Sequence, residues 1–173
     1  ESAKADLRQL AAEGIVMLKN DGTLPLSGKQ VAVFGRCQYD YFYCGYGSGG
    51  DVNIPYKVSL SEALHNQNEI IINKDIDNYY REMSEKNPPD EGYWGHWPFH
   101  FPEFVPDEKL VNAAAKESDA AVVIIGRAAG EDRENKLEKG SYYLTDDEIS
   151  LLDTVTSSFV KTIVVLDCGN IID

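Results

Sequence analysis

Several things are scarce in this chain of 173 residues, and each scarcity removes a class of function. Basic residues are outnumbered, 16 Lys and Arg against 29 Asp and Glu, which leaves a formal charge of -13. Such a surface repels a phosphate backbone instead of releasing counterions from it, so nucleic acid is not expected as a partner. No apolar run approaches the roughly 18 residues that begin to read as a membrane span, and the opening Glu1-Ser2-Ala3-Lys4 is no signal-peptide core. A membrane partner is not expected either.

Cysteines number three, Cys37, Cys44 and Cys168, at spacings that match neither a zinc site nor a redox motif. They read as free thiols in a reducing compartment. The three histidines, His65, His96 and His100, are scattered without metal-ligand spacing and without an evident Ser or Cys partner. No metal and no cofactor is expected.

What is present is ordinary globular composition with a regular alternation of elements. Residues 3–18 repeat Leu7, Leu10, Ala11 and Leu18 at helical spacing, and Asn20-Asp21-Gly22 supplies a turn. Residues 31–34 form a short apolar strand stopping at Gly35. Ser59 and Glu62 form a capping box ahead of a helix, 70–72 reads as a strand, and Asp75 can cap a helix with Ile76, Tyr79, Tyr80 and Met83 on one face. Residues 107–117 predict a helix and 120–125 a buried strand closed by Gly126. Thr145 and Glu148 box a last helix with Ile149, Leu152, Val155 and Phe159 inward, and 162–166 is the final strand.

Short, continuously apolar strands between helices predict an α/β fold: a mostly parallel sheet with helices on both faces, a three-layer sandwich. The whole of 1–173 reads as one such domain. In open sheets of this kind function collects beyond the carboxyl ends of the strands. Two of those loops, 35–58 and 126–144, far exceed the usual few residues.

The first long loop carries Gly45-Tyr46-Gly47-Ser48-Gly49-Gly50, formally a dinucleotide pattern. It sits ten residues past Gly35, well before the next helix, so it reads instead as a loop that lets backbone approach a ligand or another domain, with Ser48 and Gly49 as candidate contacts. The second concentrates Glu131, Asp132, Glu134 and Glu138 among basic residues. By composition it is a solvated loop, but its placement suits an acid/base carboxyl. Residues 90–104 crowd Tyr93, Trp94, Trp97, Phe99, Phe101 and Phe104 among prolines and glycines. Such a loop must pack onto something, and Trp94 and Trp97 could stack on sugar rings.

Three segments resemble glycoside hydrolase family 3: AAEGIVMLKNDGTLPL at 11–26, AVVIIGRAAGEDRENKLEKGSYYLTDDE at 121–148 and VVLDCGNIID at 164–173. The resemblance implies a six-stranded α/β sandwich, here truncated at its C-terminal end, within a longer multidomain enzyme. It implies hydrolysis of terminal β-linked sugars with retention, of β-glucosidase type. The Asp nucleophile would lie on a barrel-like domain, since no segment here looks like it. By position the acid/base would be Glu131, with Glu134 next and Glu138 third. The partners implied are the parent's barrel domain and an oligosaccharide or β-glucoside substrate. A stand-alone nucleotide- or sugar-binding module of flavodoxin-like form is the alternative from another class. An acid of this kind needs its pKa raised, with Asp132 and the absent nucleophile as candidate perturbers.

Overall fold

The structure, a computed structural model, describes residues 2–26, 28–43, 45–50, 55–131 and 134–173. Helix α1 (Ser2–Gly14) is followed by strand β1 (Gln30–Phe34) and a short 3-10 turn (Arg36–Gln38). Then come α2 (Leu60–His65), β2 (Ile71–Ile72), α3 (Lys74–Lys86), α4 (Glu108–Glu117), β3 (Ala120–Arg127), α5 (Asp146–Ser158) and β4 (Thr162–Cys168). Among the described residues the sheet has four strands in the order β2-β1-β3-β4, every pair parallel.

Alternation along the central strands divides the core in two. Ala32 and Phe34 of β1, with Ala121, Val123 and Ile125 of β3, face Ile76 and Tyr80 of α3, Val111 and Ala114 of α4, and Leu151 and Val155 of α5. Val31, Val33 and Ile124 face the other way, toward Leu60 and Leu64 of α2 and the rings of Tyr41 and Phe42. A strand whose two sides are both covered must be apolar at every position, which is why these strands lack the polar alternation of a half-exposed sheet. Phe34 meets Tyr80 and Phe159 edge to face, at centroid distances of 6.4 and 5.7 Å, and the buried Tyr80 hydroxyl donates to Phe104 O at 3.0 Å.

The helix starts follow local chemistry. Asp107 accepts from Leu110 N and Ser59 from Glu62 N, and Thr145 and Glu148 form a reciprocal capping box. Four details differ from the sequence-based expectation. The cap of α3 is Asn73, accepting from Ile76 N at 3.2 Å, while Asp75 lies in the first turn. Asn73 N also bonds Val31 O, so the helix starts directly from the sheet. Strand β3 runs through Gly126 to Arg127, both paired to β4. The missing side chain at Gly126 admits Cys37 and Phe42.

The inward face of α5 is Glu148, Leu151 and Val155, and Ile149 is exposed. A charged residue holds a core position there because Arg127 meets it, and an apolar periodicity cannot register that. Finally, α1 ends at Gly14 and covers nothing: Leu7, Leu10 and each residue of 15–18 lie open. On the outer strand β4, Val164, Val165 and Leu166 are also exposed.

Arg127 and Glu148 are 2% and 3% exposed and pair bidentately at 2.5 and 2.6 Å. Glu103 is half-buried in the loop between α3 and α4, and its carboxylate accepts from Arg36 N at 2.8 Å and Phe104 N at 2.7 Å. Burial pushes its pKa up to about 7, overriding those donors, and the nearby Glu148 carboxylate adds to the rise.

Two predictions follow from these buried charges. Arg127→Met should destabilise the chain by about 3–5 kcal/mol in urea unfolding, because Glu148 is left buried without its counter-charge. For Glu103, the folded carboxyl holds its proton where the unfolded one has lost it. Its contribution to stability is full below about pH 4 and falls as pH rises toward 7, by on the order of 3 kcal/mol. Glu103→Gln, which can keep accepting both amide bonds, should remove that fall when unfolding is compared at pH 4.5 and 7.5.

Candidate functional site

The strand order places a topological switch between β1 and β3: the chain leaves β1 for β2 on one side and returns to β3 on the other. Loops leaving the carboxyl ends of two such strands diverge and open a crevice between them. Here those are the two long loops, and the structure ties them together.

At the end of β1, Gly35 adopts φ 101 in contact with the backbone of Ile124, a conformation and a space that exclude a side chain. The chain then turns into Arg36, whose buried guanidinium pairs with Asp40 at 2.6 Å and donates to Pro102 O at 3.0 Å and Asn87 O at 2.6 Å. It also lies over the rings of Phe101 and Phe104, at 5.5 and 4.5 Å. One arginine thereby fastens the aromatic loop 87–107 against the sheet. Phe42 stacks on Phe101 (4.7 Å, 16°), Tyr46 stacks on Trp97 (5.2 Å, 4°), and Trp94 meets Trp97 edge-on (5.0 Å, 83°). Between the loop after β1 and the aromatic loop runs an open groove of 590 Å³ walled by Tyr41, Tyr43, Tyr46, Trp94 and Trp97, with Asp40, Lys57 and Glu91 along it.

At the end of β3, Arg127 donates to Ser141 O (3.2 Å) and Tyr143 O (3.4 Å) as well as to Glu148. It therefore gathers both ends of loop 128–144. Ala128 N donates to Phe99 O at 2.7 Å, joining this loop to the aromatic one. Farther along, Asn135 Nδ2 donates to Ile171 O at 2.6 Å, and Asp173 N to Tyr142 O at 2.8 Å.

Glu131 stands where the two loops meet. Tyr46 N donates to Ala129 O at 2.6 Å and Glu131 N donates to Tyr46 O at 2.8 Å, a short parallel bridge across Gly130. Gly130 is required by that approach, since a Cβ there would stand 2.6 Å from Tyr46 O. Gly47, at φ 109, then turns Ser48 toward the glutamate. Ser48 N donates to Glu131 Oε2 at 2.9 Å and Ser48 Oγ to the same oxygen at 2.5 Å. The Ser48 hydroxyl, then its amide, holds the exposed Glu131 carboxyl below its ordinary pKa. That is the reverse of the raised value expected of an acid, and the cause is plain: in this chain the carboxyl is solvated and receives two donors.

The other expected residues fall into place unevenly. Glu134 and Glu138 are exposed on the same loop, Glu138 with Lys136 Nζ at 3.9 Å, and no bond joins either to Ser48. Trp94 is 62% exposed at the groove, whereas Trp97 is partly covered by its stack on Tyr46. Gly49 is exposed with open space where a Cβ would stand, so no close approach explains it. Asp132 and Cys44 lie outside the described residues; Cys37 and Cys168 are free thiols. Among the described residues no cluster of His, Cys, Asp or Glu could hold a metal ion, and no helix is long and apolar enough to cross a membrane.

Sequence reasoning passed over Tyr46, Arg36 and Glu103. Nothing marks Tyr46 in a glycine run except that it is the one large side chain there. Arg36, directly after a strand and its glycine, was legible as a position needing partners.

Residues 15–173 match the Glycosyl hydrolase family 3 C-terminal domain. A β-glucosidase of Ruminococcus albus is 41% identical over 167 residues, covering 95% of this chain and 18% of that protein. Among solved structures, a β-glucosidase from Paenibacillus barengoltzii superimposes with a TM-score of 0.90 at 41% identity, over 96% of this chain and 18% of its own. β-Glucosidase 3B from Thermotoga neapolitana, in complex with glucose, gives 0.83 at 32% identity over 97% of this chain and 25% of its own. The chain thus spans about a fifth of the length of these relatives. Matched from residue 15 to its last, over a sheet that superimposes on theirs, the chain belongs to glycoside hydrolase family 3 and carries that family's C-terminal domain.

Proposed function

We propose that this chain is the acid/base-bearing domain of a retaining β-glycosidase of β-glucosidase type, with Glu131 as the acid/base. The nucleophilic Asp is assigned to a barrel domain outside this chain, and 1–173 to a single domain that hydrolyses nothing alone. The observation that carries the reading is the geometry of Glu131: of the loop's described carboxylates it is the one fastened at the crevice, by backbone on one side and Ser48 on the other. Glu134 and Glu138 remain the alternates on the same loop.

Retention needs two carboxyls about 5–5.5 Å apart, one attacking the anomeric carbon while the other protonates the departing oxygen and later deprotonates water. In the resting fragment Ser48 favours the ionised glutamate. Closing a second domain over the crevice strips water from the carboxyl and brings the nucleophile's negative charge near, and both effects favour the protonated form. The Ser48 hydroxyl suits either state, because it can donate to the carboxylate or accept from the acid. The groove walled by Trp94 and Trp97 is assigned to the substrate beyond the scissile bond, with Ser48 and Gly49 of the glycine run that borders it as further contacts. The apolar surface left open along α1, residues 15–18 and β4 supports a further body of protein as partner.

In the full-length enzyme, Glu131→Ala should cut disaccharide hydrolysis by about 100-fold or more. An activated dinitrophenyl glucoside should still glycosylate the enzyme, and added azide should restore its turnover. Near-normal disaccharide cleavage by that variant would move the assignment to Glu134. Ser48→Ala removes a donor to the ionised form, so the pKa of Glu131 rises. The alkaline limb of kcat/KM, where the protonated acid is lost, should therefore shift to higher pH; an unchanged limb would mean that Ser48 does not touch the working acid.

A further inference from the structure

Resting on the assignment of Glu131, we infer that Trp97 is a positioning residue for proton transfer: through its stack on Tyr46 it holds the backbone that fixes Glu131. The leaving group's binding wall and the acid that protonates it thus share one support.

The segment that brackets Glu131 is residues 45–50, and apart from Tyr46 and Ser48 it is glycine. Glycine-rich backbone has little stiffness of its own. Tyr46 is the one large side chain there, and its ring lies flat on Trp97, 5.2 Å between centroids and 4° from parallel. Its backbone meanwhile makes both bonds of the bridge, to Ala129 O and from Glu131 N. Gly130 leaves no slack, since Tyr46 O and Cβ would lie 2.6 and 2.7 Å from any added Cβ. A shift of the Tyr46 ring is consequently a shift of the Glu131 amide.

Trp97 can serve as an anchor because its own loop is fixed to the sheet. Arg36 holds Pro102 and Asn87 by their carbonyls, Glu103 holds the Arg36 amide, Phe101 stacks on Phe42, and Phe99 O accepts from Ala128 at the end of β3. Trp97 also meets Trp94 in an edge-to-face contact, and both tryptophans line the groove. A leaving group seated there presses on the same stack that aims the acid. Misplacing a reacting group by about 1 Å can cost on the order of 100-fold, so a loosened stack registers in the proton-transfer step.

The experiment uses the full-length enzyme and a series of aryl and alkyl β-glucosides whose leaving groups span a wide pKa range. The slope of log kcat/KM against leaving-group pKa reports how much the acid assists departure. Trp97→Ala should steepen that slope, with about 10- to 100-fold loss for the poorest leaving groups and near-normal rates for dinitrophenyl glucoside. That near-normal rate shows the variant is folded. Trp97→Phe, which can still stack, should recover most of the loss.

A Trp97→Ala enzyme with raised KM and an unchanged slope would overturn the inference and leave Trp97 a simple wall of the groove. So would an equal loss for all substrates that Trp97→Phe shares. Glu131→Ala is run in parallel to separate the two levels. If Glu131→Ala steepens the slope and Trp97→Ala does not, only the positioning role fails. If Glu131→Ala leaves the slope unchanged, the acid/base assignment falls and the inference falls with it.

Discussion

The buried pair of Arg127 and Glu148 is the constraint on which the crevice rests. Arg127 is the last residue of β3 and Glu148 sits in the first turn of α5, so their bidentate contact fixes strand to helix across the whole intervening loop. The same guanidinium collects the carbonyls of Ser141 and Tyr143, and the same carboxylate completes the capping box with Thr145. A loop of this length would ordinarily wander. Pinned at both ends by one ion pair, it can present Glu131 from a defined place, and the cost of burying two charges is offset by bonds that satisfy nearly every lone pair and proton of the pair.

From that pin outward the site is built of backbone more than of side chains. The loop after β1 pairs with the loop after β3 through Tyr46 and Gly130, and the aromatic loop closes the third side through Arg36, Phe101 and Trp97. Three loops that each lack regular structure thereby brace one another. Electrostatically the result is a carboxylate that is exposed, ionised and held by Ser48. On the proposed assignment, its conversion into an acid calls for a covering surface and a negative charge close by.

Much of this was legible in the sequence. The strands at 31–34 and 120–125 announced a parallel sheet by being apolar at every position, and both long loops stood out by length alone. The resemblance pointed to Glu131 in a loop of four carboxylates that composition could not rank, and its bonds to Ser48 are a feature that no residue pattern announced. What could not be read were features that depend on partners distant in sequence. Glu148 looked like a cap and nothing more, since its ion partner lies across the loop at Arg127, and Ile149 was placed inward because an apolar period ignores buried charge. Gly126 read as a strand end because glycine breaks strands locally, whereas here it makes room for Cys37. The helical period was real as far as Gly14, yet its apolar face covers no surface among the described residues.

The most direct test is the crystal structure of the full-length enzyme with an unhydrolysed β-glucoside bound, its nucleophile Asp changed to Asn. The account predicts the Glu131 carboxyl within about 2.6–3.2 Å of the glycosidic oxygen, on the side away from the aromatic groove's outer wall. A glycosidic oxygen met by Glu134, by Glu138 or by a carboxyl of another domain, with Glu131 still turned to Ser48, would contradict it.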